Sequence, residues 1–146
     1  MKTSTKKEIV AGLDELDQVV DFLKSLFNVC QVFTFTGSLG AGKTTLVRAL
    51  LKACGVQGGI TSPTFTYLNR YKNERGETFY HFDCYRLENT DDFMSAGFDE
   101  YLYEQKSWSF IEWPEVVLPL LKKKVCNVSI EHAGPEKRKF LISVIE

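Results

Sequence analysis

The chain has 146 residues, of which 44% are hydrophobic and 25% charged, and its formal net charge is −1. This near-neutral charge gives no electrostatic reason to expect a nucleic-acid coat or a membrane surface as the main partner. The length predicts one domain over residues 1–146, with enough chain to bury a core. No apolar run is long enough to cross a bilayer, and the first residues lead into no signal-type segment. We therefore expect a cytoplasmic protein without a membrane partner.

Apolar periodicity and strand-like alternation predict a mixture of helices and strands along the chain. In chain order, the expected elements are a helix over 13–27, a strand over 32–36, a helix over 45–54, strands over 65–71 and 78–82, short helices over 91–94 and 99–103, a strand over 108–111, a short helix over 116–121, and strands over 125–131 and 139–145. The strands over 65–71 and 78–82 are expected to pair antiparallel across a short turn. Cys30, Cys54 and Cys126 lie in apolar patterns and are expected to fill the core.

Residues 37–44 fit the phosphate-binding loop pattern G-x-x-x-x-G-K-[ST] without a mismatch. A predicted strand before the loop and a predicted helix after it supply the context that the pattern needs. Its glycines allow backbone N–H groups to surround phosphate oxygens, and the helix start adds positive potential. Lys43 can reach the terminal phosphates, and the Thr44 hydroxyl can bind Mg²⁺. A glycine-rich turn with an incidental lysine is the alternative; motif and context favour a nucleoside triphosphate site.

A phosphate loop requires an acidic residue at the end of a neighbouring strand to hold the metal. Asp83 and Glu112 each follow a predicted strand, at the carboxyl end where open α/β sheets bind ligands. Either carboxylate could bind Mg²⁺ or its waters, or orient the attacking water. Alone, each is equally well interpreted as a helix cap or an exposed acid. In combination with the loop we favour a functional role for both.

Three further polar segments have weaker signals. Ser62-Pro63-Thr64 could respond to the γ-phosphate as NTPase switch segments do, although on chemistry alone a proline-fixed turn is the better interpretation. Residues 89–92 resemble a guanine-reading N-K-x-D box without its lysine, so we interpret them as a helix cap and favour adenine. His81 is expected on the opposite face of its strand from the apolar residues, and His132 at the surface.

Four groups of residues together resemble the TsaE family of bacterial ATPases. They are Gly40-Ala41-Gly42-Lys43-Thr44-Thr45, Ser62-Pro63-Thr64-Phe65-Thr66, His81-Phe82-Asp83-Cys84-Tyr85-Arg86-Leu87 and Ile111-Glu112-Trp113-Pro114-Glu115. Their order and spacing agree with that family over nearly the whole chain. The resemblance implies an α/β fold, a P-loop NTPase-like three-layer sandwich with a mixed β-sheet flanked by helices. It also implies an ATPase, weak alone and activated by partners, that takes part in making N6-threonylcarbamoyladenosine on tRNAs that read codons starting with A.

The resemblance further implies cofactors, partners and residue roles. ATP and Mg²⁺ would be bound, and the partner would be a TsaB–TsaD-type complex, in which TsaD carries out carbamoyl transfer and through which tRNA is reached indirectly. The implied nucleotide-binding residues are Gly40, Ala41, Gly42, Lys43, Thr44, Thr45, Ser62 and Trp113. The implied catalytic residues are Lys43, Thr64, Asp83 and Glu112, and the implied metal-site residues are Thr44, Asp83 and Glu112.

Two positions depart from the family's pattern. Ser38 stands where the family usually has Asp, and Cys84 where it has an aliphatic residue. Because Ser38 occupies a variable loop position, phosphate binding is expected to survive. The change affects the contact that the family's Asp carboxylate would make, either with a partner protein or with waters bound to the metal. The family also implies that the adenine is flanked near Asp14, Glu15 and Lys137.

Two alternative functions remain open at this point. A small P-loop kinase acting on a small-molecule acceptor would need a lid that carries arginines, and the arginines after the phosphate-loop helix are scattered: Arg70, Arg75, Arg86 and Arg138. A nucleotide-gated binding module would use the nucleotide only to set its shape.

Overall fold

A computed structural model of the chain describes residues 3–60 and 67–146. Within these residues, seven strands form one β-sheet. The strands are β1 (Thr3–Ala11), β2 (Val32–Thr36), β3 (Leu68–Lys72), β4 (Thr78–Asp83), β5 (Ser107–Glu112), β6 (Val125–His132) and β7 (Arg138–Ile145). The α-helices are α1 (Asp17–Lys24), α2 (Lys43–Ala53) and α3 (Thr90–Ser95), and 3₁₀ helices cover Phe98–Tyr101, Pro114–Val116 and Leu118–Leu120.

The sheet has parallel strands at its centre and antiparallel strands at its margins. Its order is β1-β7-β6-β2-β5-β4-β3. The four strands β6, β2, β5 and β4 are parallel. At the margins, β3 pairs antiparallel with β4, β7 pairs antiparallel with β6, and β1 pairs antiparallel with β7. The carboxyl ends of β2, β4 and β5 therefore meet at one edge of the sheet, the edge at which such sheets bind ligands.

Both faces of the sheet carry apolar cores. On one face, α1 and α2 pack their apolar sides, including Leu23, Leu46 and Leu50, against the sheet residues Phe33 and Phe35. The opposite face packs against α3 and the 3₁₀ helices, with Phe82, Phe93, Ile111 and Val117 among its buried residues. This arrangement confirms the predicted α/β sandwich with a mixed sheet between helices. None of the helices in residues 3–60 and 67–146 is long and apolar enough to cross a membrane.

One strand was not predicted, and two predicted helices were wrong in extent or type. The sequence analysis missed β1, an edge strand whose first half is rich in Thr and Lys and which pairs with β7. The helix expected over 13–27 is confined to Asp17–Lys24. The helix expected over 116–121 is replaced by two 3₁₀ turns, because Pro119 has no backbone N–H to donate to an α-helical ladder.

Most other expectations are confirmed. β3 and β4 pair antiparallel as predicted, although part of the strand expected over 65–71 lies outside the described residues and β3 begins at Leu68. Asn89 caps α3 by accepting a hydrogen bond from the N–H of Asp92 at 2.9 Å. Cys30, Cys54 and Cys126 are buried, and His132 is exposed.

Candidate functional site

The glycine-rich loop, residues 37–42, joins β2 to α2 along a path that side chains would obstruct. Gly37 has φ 148°, and a Cβ there would lie 2.6 Å from the backbone oxygen of Ile130. Gly42 has φ 112°, and its Cβ would lie 2.6 Å from Cδ2 of Leu13. The first collision involves backbone and cannot be relieved by a rotamer change. The loop ends at the N-terminus of α2, whose unpaired N–H groups attract anions.

Lys43, the first residue of α2, is folded against the loop. Its Nζ donates to the backbone oxygens of Gly37 at 2.5 Å and Ser38 at 2.9 Å, and it lies 4.2 Å from the ring centroid of Trp113. The residue is only 6% exposed. Burial lowers the pKa of Lys43, and the charges of Glu112, Asp83 and Glu115 act in the opposite sense. The ammonium group is thus held at the loop by two backbone carbonyls, and the nearby acids favour its charged form.

Thr44 and Glu112 form the second part of the site. The Thr44 hydroxyl lies 2.9 Å from Oε1 and 3.0 Å from Oε2 of Glu112 and donates to this carboxylate. Glu112 is the last residue of β5 and is 3% exposed. The loop helix and the neighbouring strand therefore bring together one hydroxyl and one carboxylate, the oxygen donors that Mg²⁺ prefers.

Asp83 ends β4 and pairs in register with Glu112 on the parallel neighbour β5. Its Oδ1 accepts a hydrogen bond from the backbone N–H of Tyr85 at 3.1 Å. Burial raises the pKa of Asp83, the Tyr85 hydrogen bond lowers it, and the Glu112 charge raises it again. The expectation that Asp83 and Glu112 each lie at the carboxyl end of a strand is met, and the structure adds that they are register neighbours. What each carboxylate does remains a prediction.

His81 is a site residue that the sequence analysis did not select. It faces away from Tyr80 and Phe82, as expected, but it shares its face with the apolar Phe79. Its Nε2 lies 2.5 Å from Oε2 of Glu112. A usable signal was present, because His81 precedes Asp83 by two residues and residues two apart share a face of a strand.

These side chains border a cleft of about 450 Å³. Its lining residues are Leu13, Leu39, Gly40, Gly42, Lys43, Thr44, Thr45, Asp83, Tyr85, Arg86, Glu112 and Trp113. Trp113 adopts a left-handed backbone conformation (φ 54°, ψ 62°) directly after β5, and its ring contacts that of Tyr85 at 4.8 Å between centroids. A left-handed tryptophan is strained, which is typical of residues positioned for binding.

The remaining predicted site residues have different positions. Ser62 and Thr64 lie outside the described residues. Ala41 is buried in the loop, and its backbone oxygen accepts a hydrogen bond from Nε of Arg138 at 3.0 Å. Ser38 is exposed. Among the residues suggested to flank the adenine, Lys137 and Glu15 form a surface ion pair with 3.1 Å between Nζ and Oε1. Their contact with adenine stays a prediction.

Comparison with known proteins identifies the family. A family model described as "Threonylcarbamoyl adenosine biosynthesis protein TsaE" matches residues 10–140. The chain belongs to the TsaE family. A Rickettsia felis protein named tRNA threonylcarbamoyladenosine biosynthesis protein TsaE is 34% identical over 138 residues, which are 94% of this chain and 78% of the relative. A Haemophilus influenzae protein of the same name is 40% identical over 96 residues, 66% of this chain and 60% of the relative.

A solved structure agrees with the TsaE assignment. The crystal structure of Bacillus subtilis YdiB matches this chain with a TM-score of 0.72 and 25% sequence identity. The match covers 100% of the present chain and 89% of the YdiB chain. The P-loop NTPase-like fold that the TsaE resemblance implied is thereby confirmed. The link of the TsaE family to biosynthesis of threonylcarbamoyladenosine in tRNA is confirmed as well.

Proposed function

We propose that this TsaE-family chain binds ATP with Mg²⁺ in the cleft and hydrolyses it, and that hydrolysis supports threonylcarbamoylation of adenosine in tRNAs reading A-starting codons. The observation that carries the proposal is the convergence of Lys43, Thr44, Asp83 and Glu112 on one cleft beside the glycine-rich loop. In phosphate-binding loops a lysine, a hydroxyl on the metal and an acid from a neighbouring strand act together, and open α/β sheets bind ligands at this carboxyl edge.

The oxygen donors in the cleft fit Mg²⁺ that arrives with a nucleotide. Mg²⁺ is usually held by one or two carboxylates together with substrate phosphates and waters, rather than by a protein cage. The Thr44 hydroxyl and the Glu112 carboxylate, in mutual contact, are such a set, and Asp83 adds a second carboxylate beside them. In residues 3–60 and 67–146 there is no cluster of three or more His, Cys, Asp or Glu side chains that could hold a metal ion.

Each residue then has a defined task. Backbone N–H groups of the loop bind the phosphate chain, and Lys43 places its positive charge on the terminal phosphates. Thr44 and Glu112 hold Mg²⁺, which when bound offsets the charge on the phosphates. Asp83 orients the attacking water and can accept its proton, a task that suits a carboxylate whose pKa is raised by burial. Trp113 covers the ammonium group of Lys43 and shields the phosphate end of the cleft from solvent.

The partner in this proposal is a TsaB–TsaD-type complex, and tRNA is reached indirectly through it, in the cytoplasm. Exposed apolar side chains at the mouth of the cleft, Leu39 and Tyr85, are available to a protein that completes the site. An open cleft without such a protein would admit water freely and position the nucleotide poorly, which explains why the chain alone would be a weak ATPase.

The test is Mg²⁺-dependent ATP hydrolysis by the wild type, Lys43→Ala and Glu112→Ala with the TsaB–TsaD complex present. We expect wild-type turnover to require both Mg²⁺ and the complex, and both variants to lose it. Undiminished hydrolysis in both variants would refute the assignment of the site. Phosphate transfer to a small-molecule acceptor, screened in parallel, would instead favour the kinase alternative.

A further inference from the structure

The contact between His81 and Glu112 is fixed by the sheet itself. The two side chains are 1% and 3% exposed, and Nε2 of His81 lies 2.5 Å from Oε2 of Glu112. Their strands β4 and β5 are parallel, and His81 pairs in register with Phe110, two residues before Glu112. The imidazole therefore reaches the carboxylate diagonally across one face of the sheet. Both strands lie inside the sheet, and each has a paired neighbour on either side.

The second ring nitrogen of His81 has no comparable contact. Nδ1 is buried and has no hydrogen-bond partner among residues 3–60 and 67–146. A buried polar atom without a hydrogen-bond partner destabilises the folded state, so an apolar side chain would fill this part of the core at lower cost. The neighbouring side chains on this face, Phe79 and Phe110, are of that kind. The contact of Nε2 with Glu112 is the polar interaction that the imidazole makes in this core and that an apolar side chain would lack.

Glu112 is held from two sides by partners of different kinds. Thr44 contacts both carboxylate oxygens from the cleft side, whereas His81 contacts Oε2 from the sheet. Thr44 is itself a proposed metal ligand, so its hydroxyl serves the metal and the carboxylate together. His81 is the partner whose task is independent of the nucleotide. Because a carboxylate only accepts hydrogen bonds, Nε2 carries the hydrogen that is shared with Glu112.

We infer that His81 is a positioning residue, whose Nε2–H locks the Glu112 carboxylate in the orientation that faces Thr44 and the metal position in the cleft. The inference rests on the proposed function and deepens it. Groups that orient a metal-site carboxylate from behind typically contribute about 10- to 100-fold to metal affinity or activity. His81 does not touch the nucleotide in this account, so its loss changes the response to Mg²⁺ rather than the binding of the nucleotide alone.

The experiment uses a matched pair of substitutions in the full chain. In His81→Gln the side-chain amide can donate to Glu112 from nearly the place of Nε2, whereas His81→Met has similar length but no donor. Binding of a non-hydrolysable ATP analogue is titrated in EDTA and over a series of Mg²⁺ concentrations. Thermal unfolding of every variant is recorded, and Phe140→Leu, a core change in β7, reports the effect of lowered stability alone.

We expect His81→Met to need about 10- to 100-fold more Mg²⁺ for half-maximal enhancement of binding, with affinity in EDTA unchanged. His81→Gln should remain close to the wild type, and Phe140→Leu should keep the wild-type Mg²⁺ response. A wild-type Mg²⁺ response in His81→Met, or equal losses in the Gln and Met variants, would overturn the inference. If His81→Met does not fold, His81→Asn takes its place, because its amide is too short to reach Glu112, and the same outcomes apply.

Failure of the proposed function would give a different result. In that case the wild type itself would show no Mg²⁺-dependent binding of the ATP analogue. A wild type that binds the analogue with Mg²⁺, together with an unaffected His81→Met, would refute only the role of His81.

Discussion

Replacing Lys43 by Met is the sharpest single perturbation of the cleft. The substitution keeps an unbranched side chain of similar length and removes the ammonium group. That group donates to the backbone oxygens of Gly37 and Ser38 and lies 4.2 Å from the Trp113 ring centroid. Since the residue is 6% exposed, the variant changes charge at a buried point rather than at the surface.

The size of the effect follows from the lost charge. A hydrogen bond to a charged group contributes about 1.5–3 kcal/mol, and every 1.4 kcal/mol corresponds to a tenfold change in affinity. We therefore expect ATP and ADP to bind about 10- to 150-fold more weakly to Lys43→Met. Adenosine carries no phosphate, so its affinity should not change.

The stability of Lys43→Met should move in the other direction. Burial lowers the pKa of Lys43 from 10.5, so the folded chain releases this proton at a lower pH than the unfolded chain does. The free energy of unfolding of the wild type therefore rises as pH increases from the lowered pKa to 10.5. Below that range the charged ammonium group destabilises the folded state. At pH 7 the variant should unfold at a temperature no lower than the wild type.

The assay is competition of ATP, ADP and adenosine against a fluorescent nucleotide, with thermal unfolding of the same samples. Lys52→Met is the matched control, because Lys52 is an exposed lysine in the last turn of the same helix. Its nucleotide affinities should equal those of the wild type. The reasoning would be refuted if Lys43→Met bound ATP as tightly as the wild type, or lost adenosine affinity to the same degree.

Three further outcomes are expected. Gly37→Ala should lower the free energy of unfolding by about 1–3 kcal/mol in urea titrations, because its Cβ would meet the Ile130 oxygen at 2.6 Å; wild-type stability would contradict this. Because the pKa of Asp83 is raised, its contribution to the free energy of unfolding falls as pH rises from 3.8 through the raised pKa. The difference in free energy of unfolding between the wild type and Asp83→Asn should show this fall in unfolding titrations between acid and neutral pH. Nucleotide binding should change tryptophan fluorescence through Trp113, and Trp113→Phe, which retains Trp108, should lose that change.

The sequence predicted the parts of the site that depend on local pattern. The glycine spacing of the loop, the helix after it, and acids at the ends of two strands are all local features, and the parallel pairing of Asp83 with Glu112 follows once both strands are placed in one sheet. Each of these features requires only a few neighbouring residues to be recognised.

The features that escaped prediction depend on long-range pairing. β1 has few apolar residues in its first half and exists because β7 offers it an edge, which no local pattern records. The role of His81 depends on the register between β4 and β5, which brings its ring to Glu112. The 3₁₀ turns around Pro114 and Pro119 show the reverse case, in which local proline chemistry overrides an apolar pattern that predicted an α-helix.

Single-turnover hydrolysis tests the central claim most directly. Wild-type chain in excess over radiolabelled ATP is mixed with Mg²⁺, with and without the TsaB–TsaD complex, and inorganic phosphate is followed over time. We expect conversion of the bound ATP to ADP and phosphate in the complex, slow conversion without it, and none in Glu112→Ala. Stable, unhydrolysed ATP in the wild-type complex would contradict it and would favour a module that uses the nucleotide only to set its shape.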